Sequence, residues 1–220
     1  MTIQNDLLYE IDWRIEEIAL IKTNHLSVNI SPKRCEIIRK YAAVSIYALL
    51  EGFVVNALRL YIDEINRNHV CRNSLDIRIV NEYLQNCFDI HTQRVKSKAQ
   101  IALVRKLEDY YSADHHFLSK KVNTEANVNV KVINKLLSCY NLEIINNQKI
   151  TNGLNKLLQY RNSIAHGETS INIDNDVICE FADIVTETMD LIYDSIMQGV
   201  EKKSYIRNEE ESELNDEVDN

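Results

Sequence analysis

Near the N-terminus, Leu7, Ile11, Ile15, Ile18 and Ile21 return every three or four positions among acidic and amide residues, the period of a helix that buries one stripe. That pattern predicts a helix from Ile3 to about Lys22. Ser31 and Pro32 open a second helix, serine suiting the N-cap and proline the first helical position, where the backbone amide needs no intrahelical partner. Apolar residues then continue nearly all round from Ala42 to Ala57. A helix from Pro32 to about Asn66 is therefore predicted as the buried spine of the fold.

Farther along, a shorter helix is expected after Ser74 and another over Thr92–Tyr111, while residues 112–129 show no sustained period and read as a loop. "VKVINKLLSCY" predicts a short helix ending near Asn141. Thr151 is read as the cap of a helix that runs to about Ala165, before Gly167 in a position suited to left-handed backbone. Asp174 caps a last helix to about Met197, with Val177, Ile178, Phe181, Ile184, Val185, Met189 and Ile192 on its buried side. The expectation is an all-α helical bundle in one domain, residues 1–200, followed by an acidic, disordered tail over 201–220.

Composition supports that class. Four glycines and one proline in 220 residues leave strand-and-turn architectures without their usual punctuation. Five cysteines stand singly, an odd count that fits neither a disulfide framework nor a zinc site, and a reducing cytoplasm is the simplest setting. "MTIQNDLLYEIDW" lacks a basic region followed by an apolar block, so no secretory signal is expected. The most apolar run, Ala42–Leu58, is interrupted by Glu51 and falls short of the roughly 20 apolar residues of a membrane span, so no membrane association is expected.

Charge is unevenly spread. The net charge is −8, but residues 201–220 hold eight acids against three bases, leaving only −3 for the rest of the chain. Between His91 and Lys106, Arg94, Lys96, Lys98, Arg105 and Lys106 face no acid, a stretch that reads either as a solvated helix face or as a track for RNA phosphates.

The candidate chemistry lies in "LLQYRNSIAHGE", residues 157–168. With about 100° per residue, Asn162 and His166 fall about 40° apart on one helix face and Arg161 about 140° from His166, a gap that a long arginine side chain can span. Histidine exchanges protons near neutral pH and a guanidinium grips phosphate through paired donors. In RNA, a base that removes the 2′-hydroxyl proton lets that oxygen attack the adjacent phosphorus, and a cation offsets the added charge without a metal. The products would carry a 2′,3′-cyclic phosphate and a 5′-hydroxyl.

These residues resemble the HEPN superfamily (higher eukaryotes and prokaryotes nucleotide-binding), whose ribonuclease members carry R-x-x-x-x-H near the end of a late helix. "LLQYRNSIAHGE", with "YALLEGFVVNALRLYI" and "NTEANVNVKVINKLLSCYNLEI" before it, is similar to the MAE-type branch, including its E-G pair at Glu51–Gly52 in an early helix. The resemblance covers about residues 30–200. It implies a HEPN-like bundle and a metal-independent endoribonuclease of toxin or phage-defence type, a homodimer with two motif helices across one RNA cleft. Arg161 would clamp the phosphate and His166 act as acid and base, beside Asn162; no cofactor and no metal are implied. RNA, tRNA or mRNA among the classes, would be the partner, together with an antitoxin or other defence-system protein. In one respect the sequence departs from members silenced by a nucleotidyltransferase antitoxin: the place of their tyrosine two residues after the histidine is taken by Glu168.

Glu51 admits two readings, a carboxylate aimed at the catalytic pair with Arg161 as its partner, or a charge at a helix irregularity; Gly52 suggests close approach of another helix. Tyr160 could stack an unpaired base or pack between helices. The adjacent histidines in Asp114–Phe117 lack further ligand spacing and do not make a metal site. The competing functional class is a non-catalytic HEPN-like module that binds RNA or nucleotide, or scaffolds a partner.

Overall fold

The computed structural model describes residues 2–24, 26, 30–88, 105, 118–168 and 172–208. Among these the chain forms six helices and no strand: α1 Ile3–Asn24, α2 Pro32–Arg67, α3 Ile77–Phe88, α4 Val130–Cys139, α5 Gln148–Ala165 and α6 Asn175–Glu201, with a short 3-10 turn at Arg72–Ser74. The long α2 is the spine. It packs against α1, α5 and α6; α6 also lies on α1 and α5, and α4 joins α3 to α5. The all-α bundle read from the sequence is the architecture found.

Local chemistry sets the helix ends. Asn129 accepts from the Val132 amide at 3.0 Å, and Asp174 from the Val177 amide at 2.9 Å, each satisfying a first-turn donor. Ser31 and Pro32 do start α2, although the serine side chain makes no capping bond. The start of α5 differs from expectation: Asn147 is its cap, accepting from the Lys149 and Ile150 amides at 3.0 and 3.2 Å. Thr151 lies one turn inside, its hydroxyl donating to the Asn147 carbonyl at 2.9 Å. An asparagine one turn earlier satisfies the amides of an additional turn, so the helix begins sooner.

The core runs along α2, with Ile46, Tyr47, Leu50, Phe53, Leu58, Tyr61 and Ile62 almost fully enclosed, against Leu7, Ile133, Leu137 and Phe181. By length and composition α2 could also cross a membrane, but half of its most apolar stretch is buried inside this fold. Helices α5 and α6 approach closely at Gly153, where an added Cβ would fall 1.9 Å from Ile184 Cδ1.

The α1 stripe is not wholly apolar. Its buried residues are Ile3, Leu7, Ile11, Arg14 and Ile18, whereas Ile15 is exposed. Arg14 Nε donates to the Leu49 carbonyl at 3.1 Å, its Nη1 to the Glu10 carbonyl and carboxylate, and its guanidinium carbon lies 4.1 Å from the Trp13 ring centre. Asn56 also donates to the Glu10 carboxylate, at 2.9 Å. Gly52 faces this guanidinium, with room for a Cβ only 3.4 Å from Nη2. The close approach expected at Gly52 is therefore that of an α1 side chain.

At the C-terminal side the fold continues beyond residue 200. Ile206 bridges to Leu75, the Asp76 amide donates to the Tyr205 carbonyl at 2.9 Å, and the Arg207 amide donates to the Ser74 carbonyl at 2.8 Å. Tyr205 is buried edge-on to Tyr61, with 6.3 Å between ring centres. Asn141, at φ 53°, ties this corner together by donating to Asp76 at 3.0 Å and to the Ser204 carbonyl at 2.8 Å. Residues 201–207 thus belong to the folded body, and the boundary drawn at 201 from acidity moves to 208. Residues 209–220, which hold most of the acidic charge, lie outside the described residues.

Candidate functional site

Helix α5 brings its motif residues to the surface by running out of core. Ile150, Gly153, Leu154 and Leu157 are buried along its first turns, Tyr160–Ile164 are half-buried, and Ala165–Glu168 are exposed. Gly167 stops the helix at φ 78°: its amide donates to the Ile164 carbonyl and that of Glu168 to the Ser163 carbonyl, both at 3.0 Å, the double closure of a left-handed C-terminal cap. His166 is the residue at the cap itself, and its amide donates to the Asn162 carbonyl at 2.9 Å. Arg161, Asn162 and His166 therefore share one open helix end.

Arg161 is held on two sides. Its Nη1 donates to Asn162 Oδ1 at 2.8 Å, and its guanidinium carbon sits 4.9 Å from the centre of the Tyr47 ring. Tyr47 comes from the middle of α2 and is 1% exposed; its hydroxyl oxygen accepts from the Val128 amide at 2.6 Å. Burial raises the phenol above its ordinary pKa and the neighbouring Glu51 carboxylate adds to this, outweighing the Val128 bond and the Arg161 charge, so Tyr47 stays neutral.

Glu51 lies one turn beyond Tyr47 and is half-buried. Its carboxylate accepts from Thr124 Oγ1 at 2.8 Å, so the partner expected in Arg161 is instead a threonine of the loop before α4. Glu51 and Arg161 both act electrostatically on Tyr47, with opposite signs. Arg39, two turns before Tyr47 on α2, donates to the Ile173 carbonyl at 2.6 Å and fixes the segment that follows the motif.

Tyr160 packs edge-on against the buried Phe181 of α6, with ring centres 5.4 Å apart. Of the two readings of Tyr160, this contact is the packing between helices. Of the basic stretch, Arg105 is helical and exposed, while Arg94, Lys96, Lys98 and Lys106, like Asp114–Phe117, lie outside the described residues. Among the described residues no three metal-ligating side chains cluster. Among the described residues Cys35, Cys71, Cys139 and Cys179 form no disulfide, and burial pushes the Cys139 pKa up to about 12, which leaves it a poor nucleophile.

Sequence reasoning missed Tyr47, Thr124, Val128 and Arg39. Tyr47 alone had a signal, standing four residues before Glu51 and so on the same face of α2.

The family model described as HEPN_MAE_28990-like HEPN matches residues 3–205. The chain belongs to the MAE-type HEPN family. The match reaches Tyr205, so in this HEPN protein the docked segment after α6 is part of the family domain. No curated protein and no solved structure matches the chain. HEPN domains are associated with nucleotide-related and ribonuclease-like functions, and this HEPN protein retains an arginine, an asparagine and a histidine together at one accessible helix end.

Proposed function

We propose that this HEPN protein is a metal-independent endoribonuclease that cuts single-stranded or looped RNA. The observation that carries the reading is the end of α5, where a guanidinium held over a buried ring stands five residues from an exposed histidine. His166 takes the 2′-hydroxyl proton as the O2′–P bond forms. Arg161 opposes the charge gathering on the non-bridging phosphate oxygens. The P–O5′ bond then breaks, and the 5′-oxygen leaves with a proton given by an imidazolium, supplied by the second His166 of a homodimer whose motif helices line one cleft. Asn162, by accepting from Arg161, orients the guanidinium rather than touching the reacting atoms.

In the cell this activity fits a cytoplasmic toxin or phage-defence effector acting on tRNA or mRNA, restrained by an antitoxin or a defence-system partner. The direct test is cleavage of total bacterial tRNA and of an unstructured oligoribonucleotide in excess EDTA, with end-group analysis. Cleavage should persist and leave 2′,3′-cyclic phosphate and 5′-hydroxyl ends. Activity abolished by chelation, with 5′-phosphate products, would overturn the mechanism. Expression of the wild type in bacteria should arrest growth while His166→Ala does not; equal growth of the two would remove the toxin role.

A further inference from the structure

The R-x-x-x-x-H spacing explains which groups meet the substrate but not what keeps Arg161 in place. An arginine on a half-open helix end has many rotamers, and a clamp that must find its geometry at each turnover gives up much of its catalytic benefit. The structure supplies a platform. Tyr47 is almost fully enclosed in the core, and its ring lies under the guanidinium at 4.9 Å. The negative face of an aromatic ring attracts such a cation.

The ring is itself fixed. Its hydroxyl accepts from Val128, a buried residue just after the turn at Glu125 and Ala126, where φ is 55° and 53°. The same loop is fastened again to α2 one turn farther on, through Thr124 and Glu51. The contrast with Tyr61 is informative: on the same helix and equally buried, among the described residues it carries no cation and its hydroxyl has no hydrogen-bond partner. On its other side Arg161 spends one N–H on Asn162, which leaves the rest of the fork for a phosphate.

We propose that Tyr47 is a positioning residue: its ring, anchored through its hydroxyl to Val128, presents the Arg161 guanidinium to the scissile phosphate. The proposal rests on the endoribonuclease reading above. It requires that the strength of the ring's negative face, and not merely its volume, governs the chemical step. Tyr47 does not touch the reacting atoms and acts through Arg161 alone.

Phenylalanine and progressively fluorinated phenylalanines at position 47 of the full-length protein provide the test. All of them lack the bond to Val128, so that relative to Tyr47→Phe the fluorinated rings keep their shape and change the strength of the π face. With total bacterial tRNA as substrate, kcat should fall stepwise with fluorination, by about tenfold or more at the pentafluoro ring, with KM changing much less. The same series at position 61 should leave kcat flat. The Arg161 δ-proton resonances should be shifted upfield by the ring current in the wild type and in Tyr47→Phe, and return in Tyr47→Leu. A flat kcat series at position 47 while Arg161→Ala is inactive overturns the proposal and leaves the endoribonuclease reading standing. If Arg161→Ala cleaves like the wild type, that reading fails and the proposal with it.

Discussion

The backbone amide of His166 bonds to the carbonyl of Asn162 at 2.9 Å, which sets the histidine at the C-cap of α5, where it is exposed. None of the bonds that close the helix end uses the imidazole: those of Gly167 and Glu168 run between main-chain atoms.

His166→Ala should therefore be a clean substitution. Thermal stability should change by no more than about 0.5 kcal/mol, as for a surface position, while loss of positioned acid–base catalysis should lower cleavage by about 10²- to 10⁴-fold. Cleavage rates and melting curves on the same preparation check both parts. A variant that cuts at the wild-type rate would take catalysis away from the motif and favour the RNA-binding or scaffold reading.

Glu51 calls for a comparison of two substitutions. Glu51→Gln retains an oxygen that can accept from Thr124, whereas Glu51→Ala leaves a hydroxyl on a residue 9% exposed with no acceptor, at a cost of about 1–3 kcal/mol. The alanine variant should also free the loop that anchors Tyr47, seen as faster amide exchange over residues 124–128. Glutamine should preserve both stability and cleavage. If glutamine and alanine are equally inactive with equal, wild-type stability, the charge of Glu51 takes part in the chemistry and the bonding role assigned here is wrong.

Arg14 is the side chain on which the α1–α2 contact turns, since it satisfies the Leu49 carbonyl and the Glu10 carboxylate from a nearly closed site. Breaking such a pair from one side leaves a charge without its partner, so Arg14→Met should destabilise by about 3–5 kcal/mol in urea unfolding. Adding Glu10→Gln, which keeps an acceptor for Asn56, should recover part of the loss. An unchanged unfolding midpoint for Arg14→Met alone would show that the contact is held by the apolar stripe.

These residues also mark where the sequence could and could not be read. The start of α1 at Ile3, the Pro32 start of α2, the Asp174 cap and the Gly167 stop were legible because each depends on residues within one or two turns. The place of Arg161, Asn162 and His166 at an open helix end followed from the same local signals. What was not legible depends on distant partners. Hydropathy assigns Ile15 to the α1 stripe, but Arg14 can occupy the buried side because its donors meet a carbonyl 35 residues away. Tyr47 is one apolar position among many until Val128 and Arg161 close on it, and Tyr205 sits in an acidic background that hides its docking against Tyr61.

The folded segment through Arg207 sharpens the test of the acidic tail. Residues 209–220 hold seven acids and no base, whereas Tyr205 and Ile206 are structural. Deleting 203–220 removes the Tyr205 ring from its site beside Tyr61 and should cost about 3–5 kcal/mol, the range for loss of a large buried side chain. Deleting only 209–220 should leave the melting curve unchanged. As a hypothesis, a tethered segment of net −7 competes with RNA phosphates for the basic residues Arg94, Lys96, Lys98, Arg105 and Lys106 at a high local concentration. The shorter deletion should then tighten RNA binding at low ionic strength, and the gain should fade as salt screens both attractions. Binding isotherms of the full-length and 1–208 proteins at low and high salt decide the matter. Superimposable curves at low salt would mean that the tail does not compete with RNA and serves solubility alone.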